Sequence, residues 1–263
     1  MIVPRASNRS LTPPRLADDE AHIWTAGLEW GAAELGEFLA ALSPDEQARA
    51  RRFRFERDSQ HYIAGRGILR RILAAYLDQQ PSELQFTYSP SGKPSLAAGS
   101  DPNGLCFNLA HSHTLAVYAL TRNREIGVDV ERLRADFPCE QIAERFFSPQ
   151  EVSKLRGMPD PVKHEAFFNC WTRKEAYIKA KGEGLSIDLD RFEVSLAPEE
   201  QAALLNVVDD PQESARWTIE KLSPGPGYVG AVAVKGRRME FKYYRWPFDL
   251  GHSAWRPPSD LSG

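Results

Sequence analysis

Two carboxylates separated by one residue form the first group in the sequence that could carry chemistry. Asp129 and Glu131 lie in the alternating segment Ile126-Gly-Val-Asp-Val-Glu131, which predicts a β-strand. Side chains alternate between the faces of a strand, so both carboxylates share one face, and Val128 and Val130 lie on the other. Carboxylates this close repel each other, and a Mg²⁺ ion that also binds phosphate oxygens would relieve the repulsion. A solvated strand face is the alternative.

An acidic and a basic residue one helical turn apart form the second group. Glu175 and Lys179 are four residues apart in the segment Trp171–Gly182, so they share a face of the predicted helix. An ordinary surface ion pair, contributing about 0.2–1 kcal/mol, is one interpretation. The apolar residues around them favour a cleft instead. There Glu175 would complete a three-carboxylate metal site with the strand carboxylates, and Lys179 would contact phosphate or stabilise a developing negative charge.

A histidine at a strand end and a lysine in a turn extend this set. His111 follows Phe107-Asn-Leu-Ala110 and could donate to a phosphate or act as acid or base, although a structural histidine is the alternative. Lys93 lies in the turn Ser91-Gly-Lys-Pro94, where an ammonium could meet a phosphate as a point charge. The sequence contains neither a P-loop nor a dinucleotide-binding glycine motif.

The segment from Arg49 to Arg71 concentrates positive charge. Its eight arginines stand against Glu56 and Asp58, a local charge of +6 in a chain of net charge −3. This pattern indicates an anionic ligand, an acidic partner protein, or both. A solvated helix face is the alternative. Nucleic acid is not expected, because the segment lacks a helix-turn-helix signature.

Capping signals place the helices that must position these groups. Ser43-Pro-Asp-Glu46 and Ser148-Pro-Gln-Glu151 both have the pattern of a capping box. Helices are predicted over 44–51, 58–77 and 164–181, with another starting at Ser148, and strands over 84–88, 106–109, 115–121, 125–131, 192–196, 217–221 and 228–234. The two capping boxes are 105 residues apart. Either two helix starts resemble each other, or the chain contains a duplicated α+β half with a cleft between the halves.

Composition narrows the class of protein. The 263 residues are 42% hydrophobic and 26% charged, as in a globular protein. No run of 18 apolar residues occurs, which predicts no membrane-spanning helix. The polar start, residues 1–20, lacks the apolar stretch of a secretory signal and is expected to be frayed, as are residues 256–263. Three cysteines at wide spacing (Cys106, Cys139 and Cys170) favour free thiols in a reducing cytoplasm.

The order of these motifs resembles that of the Sfp-type 4′-phosphopantetheinyl transferases. The resemblance runs from about Ser43 to Ile187 and rests on four motifs: Gly92-Lys-Pro94, Phe107-Asn-x-x-His-Ser112, Gly127-Val-Asp-Val-Glu131 and Trp171-Thr-Arg-Lys-Glu-Ala-Tyr-Ile-Lys179-Ala-x-Gly-x-Gly-Leu185. It implies an α+β fold of two similar halves, residues 1–122 and 123–245, related by a pseudo-twofold axis, with the active site in the cleft between them and a tail over 246–263. Since one chain supplies both halves, a monomer is expected.

The resemblance also implies a reaction and a set of site residues. The phosphopantetheine arm of coenzyme A would be transferred to a serine of an acyl or peptidyl carrier protein, releasing 3′,5′-ADP. Three groups of residues match the family's motifs: the magnesium ligands Asp129, Glu131 and Glu175; the catalytic residues Glu175, Lys179 and His111; and the coenzyme A contacts Arg49, Lys93, Asn108, His111 and Lys179. Two positions depart from the pattern. Ala110 stands where many members have Ser, and Glu46 where some have a second lysine for the 3′-phosphate, which leaves more of that contact to Arg49.

Two other functions are consistent with the same residues. A metal-dependent phosphohydrolase would use the same three carboxylates and would hydrolyse coenzyme A without a carrier protein. A non-catalytic module would only dock acidic partners through its arginines. The presence of all four candidate residues, Asp129, Glu131, Glu175 and Lys179, counts against the docking module.

Overall fold

A computed structural model of the chain describes residues 14–101, 103–182 and 187–247. The chain divides into two compact units, one containing residues 14–15 and 28–85 and the other containing 16–27 and 86–247. Gly184 and Leu185 of the last motif lie outside the described residues, as do most of the ends expected to be frayed and all of the expected tail beyond Pro247.

The first unit is helical. It contains α1 (Ala32–Ala41), α2 (Pro44–Ala50) and α3 (Glu56–Leu77), followed by a short 3₁₀ turn over Pro81–Glu83. Helices α1 and α3 pack closely at Gly67, where a Cβ atom would lie 2.4 Å from the Cβ atom of Phe38. The apolar side of α3, which includes Ile68, Leu69, Ile72 and Leu73, is buried.

A buried glutamate joins the first capping box to α3. The Ser43 amide donates to Oε2 of Glu46 over 3.1 Å, which starts α2 as predicted. The same oxygen accepts a 2.6 Å hydrogen bond from Nε of Arg70. Arg70 also donates to the carbonyls of Pro81 and Leu84. Glu46, where a lysine for the 3′-phosphate stands in some family members, is therefore buried and has a structural role here.

Strands form the framework of the second unit. The strands are β1 (Glu20–Gly27), β2 (Phe86–Tyr88), β3 (Pro94–Leu96), β4 (Leu105–Ser112), β5 (Leu115–Arg122), β6 (Ile126–Arg132), β7 (Phe192–Val194), β8 (Leu204–Val207), β9 (Trp217–Leu222), β10 (Tyr228–Lys235) and β11 (Glu240–Trp246). One sheet has the order β11-β1-β5-β4 and another the order β6-β10-β9. Only the β1–β11 pair is parallel among the described ladders. Helices beside mainly antiparallel sheets confirm the α+β prediction.

Three helices complete the second unit: α4 (Cys139–Phe146), α5 (Pro149–Arg156) and α6 (Asp160–Lys181). Gly182 ends α6 in the left-handed region, with φ of 74°, as the sequence predicts. Helix α6 lies directly on β6, and the contact depends on Gly127. A Cβ atom there would lie 2.1 Å from the carbonyl oxygen of Ala176 and 2.2 Å from the amide nitrogen of Ala180.

The second capping box repeats the arrangement of the first. The Ser148 amide donates to Oε2 of Glu151 over 2.9 Å, and this buried glutamate pairs with Nζ of Lys174 at 2.8 Å. Lys174 also donates to the carbonyls of Leu189 and Phe192, in the short helical turn and strand that follow α6. The same arrangement thus occurs twice in the chain. In each copy a buried glutamate pairs with a cation on the long helix, and that cation also donates to two carbonyls beyond the helix. The repeat supports the duplicated-half interpretation, and the pseudo-twofold axis stays a prediction.

The predicted elements are present with shifted ends. Helix α6 begins at Asp160 rather than His164, and β4 extends to Ser112. The sequence analysis missed β1, α1, β3, α4, β8 and β11. The initial segment expected to fray is ordered from Leu16, which is buried. The three cysteines are free thiols, and none of the described helices is both long and apolar enough to cross a membrane.

Candidate active site

A partly buried ion pair lies among the residues of the predicted site. Nζ of Lys179, on α6, lies 2.6 Å from Oδ1 of Asp129, on β6. Asp129 is buried, whereas the Lys179 side chain is 32% exposed. The predicted helical neighbour of Lys179 was Glu175, but the ion pair in the structure joins α6 to the strand. The two elements are close enough for this contact because position 127 has no side chain.

The strand presents its carboxylates as the alternation predicts. Val128 and Val130 belong to an apolar cluster with residues of the other sheet, including Ile23 and Val117. Asp129, between the two valines, faces α6 instead. The prediction that the carboxylate side of β6 differs from its apolar side is therefore confirmed for Asp129.

Burial sets the electrostatics of the carboxylates. Burial raises the pKa of Asp129 to about 7, although Lys179 opposes this shift. The negative charges of Glu175 and Glu131 raise the pKa of Asp129 further. Burial is also the main cause of the raised pKa of Glu175, to which Glu131 contributes. The charges of nearby carboxylates therefore disfavour ionisation of Asp129 and Glu175.

The second carboxylate of the strand has a partner that the sequence analysis left unassigned. The hydroxyl of Ser112, at the end of β4, donates to Oε2 of Glu131 over 2.8 Å. The same hydroxyl oxygen accepts a 3.1 Å hydrogen bond from the amide of Arg132. Ser112 thus orients Glu131. Its position directly after His111 in the motif is the only signal of this role in the sequence.

One carboxylate oxygen of the site has the chemistry of a ligand for a hard divalent cation such as Mg²⁺. Oδ2 of Asp129 is buried and has no hydrogen-bond partner among the described residues, so it can accept a metal ion at no cost in hydrogen bonds. Across residues 14–101, 103–182 and 187–247, no three His, Cys, Asp or Glu side chains converge closely enough to hold a metal ion together. The complete set of Asp129, Glu131 and Glu175 stays a prediction. Mg²⁺ often takes only one or two carboxylates and completes its shell with water and phosphate oxygens.

Lys93 and Asn108 have structural contacts in the second unit. Nζ of Lys93 donates to three backbone carbonyls, those of Ile126 at 3.0 Å, Lys179 at 2.6 Å and Ala180 at 3.1 Å. Burial lowers the pKa of Lys93. Oδ1 of the buried Asn108 accepts a 2.9 Å hydrogen bond from the amide of Val128. Lys93 therefore joins the end of α6 to the start of β6, and Asn108 joins β4 to β6. Their contacts with coenzyme A stay predictions.

The remaining predicted contacts differ in exposure. His111 is exposed near the end of β4, where it is accessible to a ligand. Ala110 is buried in the cluster that contains Val128, so a serine hydroxyl at this position would also be buried. Arg49 belongs to the first unit, is exposed at the end of α2, and has its guanidinium 5.5 Å from the centre of the Tyr62 ring. The predicted roles of His111 and Arg49 in binding coenzyme A stay predictions.

The arginines of the basic segment differ in exposure and in pairing with carboxylates. Two of its arginines are buried against Glu46: Arg66 at 3.2 Å and Arg70 at 2.6 Å. Arg71 pairs with Glu37 at 3.0 Å. Five arginines are exposed: Arg49, Arg51, Arg52, Arg54 and Arg57. Against Glu56 and Asp58, five positive charges minus two negative charges leave +3 on the exposed part, rather than the +6 of the whole segment.

Family models and curated proteins match most of the chain. A family model described as 4′-phosphopantetheinyl transferase, N-terminal, matches residues 29–123, and one described as 4′-phosphopantetheinyl transferase superfamily matches residues 125–233. The 4′-phosphopantetheinyl transferase HetI of Nostoc sp. strain PCC 7120 is 41% identical over 236 residues, which cover 89% of this chain and 96% of HetI. The 4′-phosphopantetheinyl transferase Sfp of Bacillus subtilis strain 168 is 29% identical over 198 residues, 75% of this chain and 84% of Sfp.

One solved structure also aligns with part of the chain. The holo-[acyl-carrier-protein] synthase of Thermotoga maritima aligns with a TM-score of 0.35 and 23% identity, over 43% of this chain and 64% of that one. The family is established by the sequence matches. With 41% identity over 96% of HetI and two family models on successive parts of the sequence, the chain belongs to the 4′-phosphopantetheinyl transferase superfamily of enzymes.

Proposed function

We propose that the protein transfers the 4′-phosphopantetheine arm of coenzyme A to a serine of an acyl or peptidyl carrier protein, with Mg²⁺, and releases 3′,5′-ADP. The observation that carries the proposal is the partly buried Asp129–Lys179 pair, which has an unused carboxylate oxygen and lies among two further carboxylates. Family membership supplies the reaction class. The site supplies the charges that transfer of a phosphate-linked group from coenzyme A to a serine hydroxyl requires.

Mg²⁺ would be held by Asp129, Glu131 and Glu175, and it would neutralise the pyrophosphate of coenzyme A when bound. Ser112 keeps Glu131 oriented through its 2.8 Å hydrogen bond. The unused Oδ2 of Asp129 provides a further acceptor. The partly exposed ammonium of Lys179 reaches solvent, so it can also contact phosphate oxygens and stabilise the charge that develops on the leaving oxygen.

Glu175 is the proposed proton acceptor. As a residue beside the reacting groups, it would accept the proton of the carrier serine hydroxyl directly or through a water that it orients. Exposed His111 and Arg49 are the proposed phosphate contacts, Arg49 for the 3′-phosphate. We also propose that the protein acts as a monomer, since one chain contains both copies of the repeated arrangement.

Intact-mass spectrometry of a carrier protein tests the proposal. The carrier is incubated with the protein, coenzyme A and Mg²⁺, and the expected result is a mass increase of one phosphopantetheine arm. Asp129→Ala is expected to be folded by circular dichroism but inactive. Release of 3′,5′-ADP without a carrier would instead favour the phosphohydrolase. An unmodified panel of fatty-acid, polyketide and peptide carriers would contradict the transferase proposal.

Kinetics of Lys179→Ala test the role of the ammonium. A contact that strengthens in the transition state acts on kcat, so kcat is expected to fall by about tenfold or more, the effect of one charge-assisted hydrogen bond, with a smaller change in KM. Lys181→Ala is the matched control, because Lys181 lies two residues away and pairs with Glu213 at 3.3 Å. A kcat of Lys179→Ala within about twofold of the control would indicate a simple ion pair.

A further inference from the structure

A basic cavity lies in the second unit and shares no residue with the candidate active site. Its volume is about 690 Å³, within the range of small-molecule sites. The lining residues are Asp18, Arg122, Asn123, Arg124, Glu125, Arg216, Lys235, Gly236 and Arg237. Glu125 directly precedes β6, whereas Glu131 lies six residues further along, roughly 20 Å away on an extended strand. The cavity therefore lies near the opposite end of the strand that bears the carboxylates.

The lining carries excess positive charge. Five cationic side chains face two carboxylates, which leaves a formal charge of +3. Lys235 is compensated by Glu125 at 2.8 Å. Arg216 is compensated by two carboxylates, Asp210 at 2.6 Å and Glu213 at 2.8 Å. The lining then holds three further arginines against Asp18, so an excess of +2 remains on Arg122, Arg124 and Arg237.

Backbone carbonyls hold these three guanidinium groups. Nε of Arg122 donates to the carbonyl of Leu16 at 2.8 Å. Nε of Arg124 donates to the carbonyl of Asp18 at 3.0 Å. Nε of Arg237 donates to the carbonyl of Ala215 at 2.5 Å, which completes three such anchors.

A backbone carbonyl orients a guanidinium group without neutralising its charge. The arginine side chains are therefore in place before a ligand binds, and their positive charge can still attract an anion. Guanidinium groups match phosphate oxygens in shape and charge. A diphosphate offers two phosphate groups to these three guanidinium groups, with a total charge of about −3, whereas a single phosphate has one group to share among them. We propose that this cavity binds a ligand that contains a diphosphate group, either the free anion or a nucleotide, at a site separate from the transfer centre.

Titration calorimetry with inorganic pyrophosphate, without Mg²⁺, tests the site. Wild type is compared with Arg237→Gln and Arg124→Gln, and Arg156→Gln is the matched control because it removes the same charge from exposed α5, where Arg156 pairs with Glu144. Each cavity variant is expected to raise the Kd about tenfold or more, the effect of losing one charge-assisted hydrogen bond. The control is expected to change the Kd less than about twofold. Arg237→Gln is also expected to retain transferase activity, which shows that the variant is folded.

Further titrations separate this site from the transfer centre and show whether the ligand is the free anion or a nucleotide. If pyrophosphate occupied the transfer centre instead, Lys179→Ala would weaken binding and Arg237→Gln would not; that pattern overturns the proposal. Three other outcomes would also overturn the proposal: pyrophosphate shows no saturable binding to wild type, it binds wild type and both cavity variants with equal Kd values, or orthophosphate binds as tightly as pyrophosphate. A parallel titration with ADP distinguishes the two sources of the ligand. If ADP and pyrophosphate bind with equal affinity, the ligand is the free anion; if ADP binds more tightly, the ligand is a nucleotide. Either result supports a diphosphate site.

Discussion

Asp129 is held in a position where its own negative charge is unfavourable. The unfolded chain has an aspartate of ordinary pKa, near 3.8, whereas burial raises the pKa to about 7 in the folded chain. Between these values the metal-free folded protein binds a proton that the unfolded chain has released. The contribution of this group to stability is therefore fully present below pH about 4 and is lost as the pH rises to about 7. A group that weakens the fold at neutral pH is typical of a functional site.

We predict that Asp129→Asn removes this pH dependence. In EDTA at pH 8, the variant is expected to unfold at the same or a higher urea concentration than wild type, because no carboxylate has to be ionised in a buried place. Its transferase activity is expected to be lost. Urea unfolding between pH 4 and 8 is the measurement, and Asp136→Asn, at an exposed position between β6 and α4, is the control. An Asp129→Asn variant clearly less stable than wild type at pH 8 would show that the ion pair with Lys179 outweighs burial.

The sequence predicts the members of this site better than their contacts. The alternation in β6 and the spacing in α6 predict which side chains share a face, since both patterns are local. The pair between Asp129 and Lys179 spans 50 residues, and no local pattern encodes it. The same limit applies to Lys93, whose three acceptors come from distant segments of the chain.

At the scale of elements, the closeness of α6 and β6 depends on Gly127. We predict that Gly127→Ala lowers stability by roughly 2–3 kcal/mol or more, because the added Cβ would overlap backbone atoms of α6. Activity should fall as Lys179 moves from Asp129. Gly36→Ala is the matched control: Gly36 is exposed within α1, with no atom within 4 Å of the added Cβ, so the change should stabilise by about 0.5–1 kcal/mol. Urea unfolding compares the two, and equal effects would contradict close packing at Gly127.

The contacts of Lys93 lead to a second prediction at this scale. Lys93→Met leaves three partly buried carbonyls without this donor, so we expect a loss of about 2–3 kcal/mol in stability and a lower kcat. Ser91→Ala, which removes a hydrogen bond to the carbonyl of Gly182 at an exposed place, should cost less than about 1 kcal/mol. Thermal unfolding and steady-state kinetics are the measurements. Unchanged stability with a raised KM for coenzyme A would show that Lys93 is mainly a phosphate contact.

The elements missed by the sequence analysis share a physical reason. Strand β1 is buried on both faces, including Ile23 and Trp24, so it lacks the alternation that identified β6. Helix α4 is one of the short helices, eight residues long, and has no capping box. The capping boxes at Ser43 and Ser148 were predictable because the serine and glutamate that form each one are three residues apart. The burial of the two glutamates against Arg70 and Lys174 follows only from tertiary packing.

At the scale of the whole molecule, charge is distributed unevenly. A chain of net charge −3 exposes five arginines between residues 49 and 57, together with two exposed aromatic residues, Phe53 at 38% and Phe55 at 60%. Basic and apolar side chains together suit the docking of an acidic carrier protein, since charge steers the encounter and aromatic area stabilises the complex.

We predict that Arg54→Gln and Phe55→Ser each raise the KM for the carrier several-fold and leave the KM for coenzyme A unchanged. Arg54→Gln should lose its effect at about 0.5 M salt, where exposed charges are screened within about 4–5 Å, whereas Phe55→Ser should keep it. Arg191→Gln, which removes an equally exposed charge that pairs with Asp209, is the control. Steady-state kinetics at two salt concentrations measure both effects. Equal losses in Arg54→Gln and Arg191→Gln would indicate a non-specific effect of surface charge.

The parallel pairing of β1 with β11 has a consequence for how the protein is made. Residues 20–26 of β1 pair with residues 240–246 of β11, so a ribosome synthesises more than 200 residues between the two partners. The other neighbour of β1, β5, begins at Leu115. During translation, β1 has no neighbouring strand until β5 has been synthesised, and the helices of residues 28–85 emerge before that. Its second neighbour, β11, follows much later. This sheet is therefore completed only when almost the whole chain has left the ribosome.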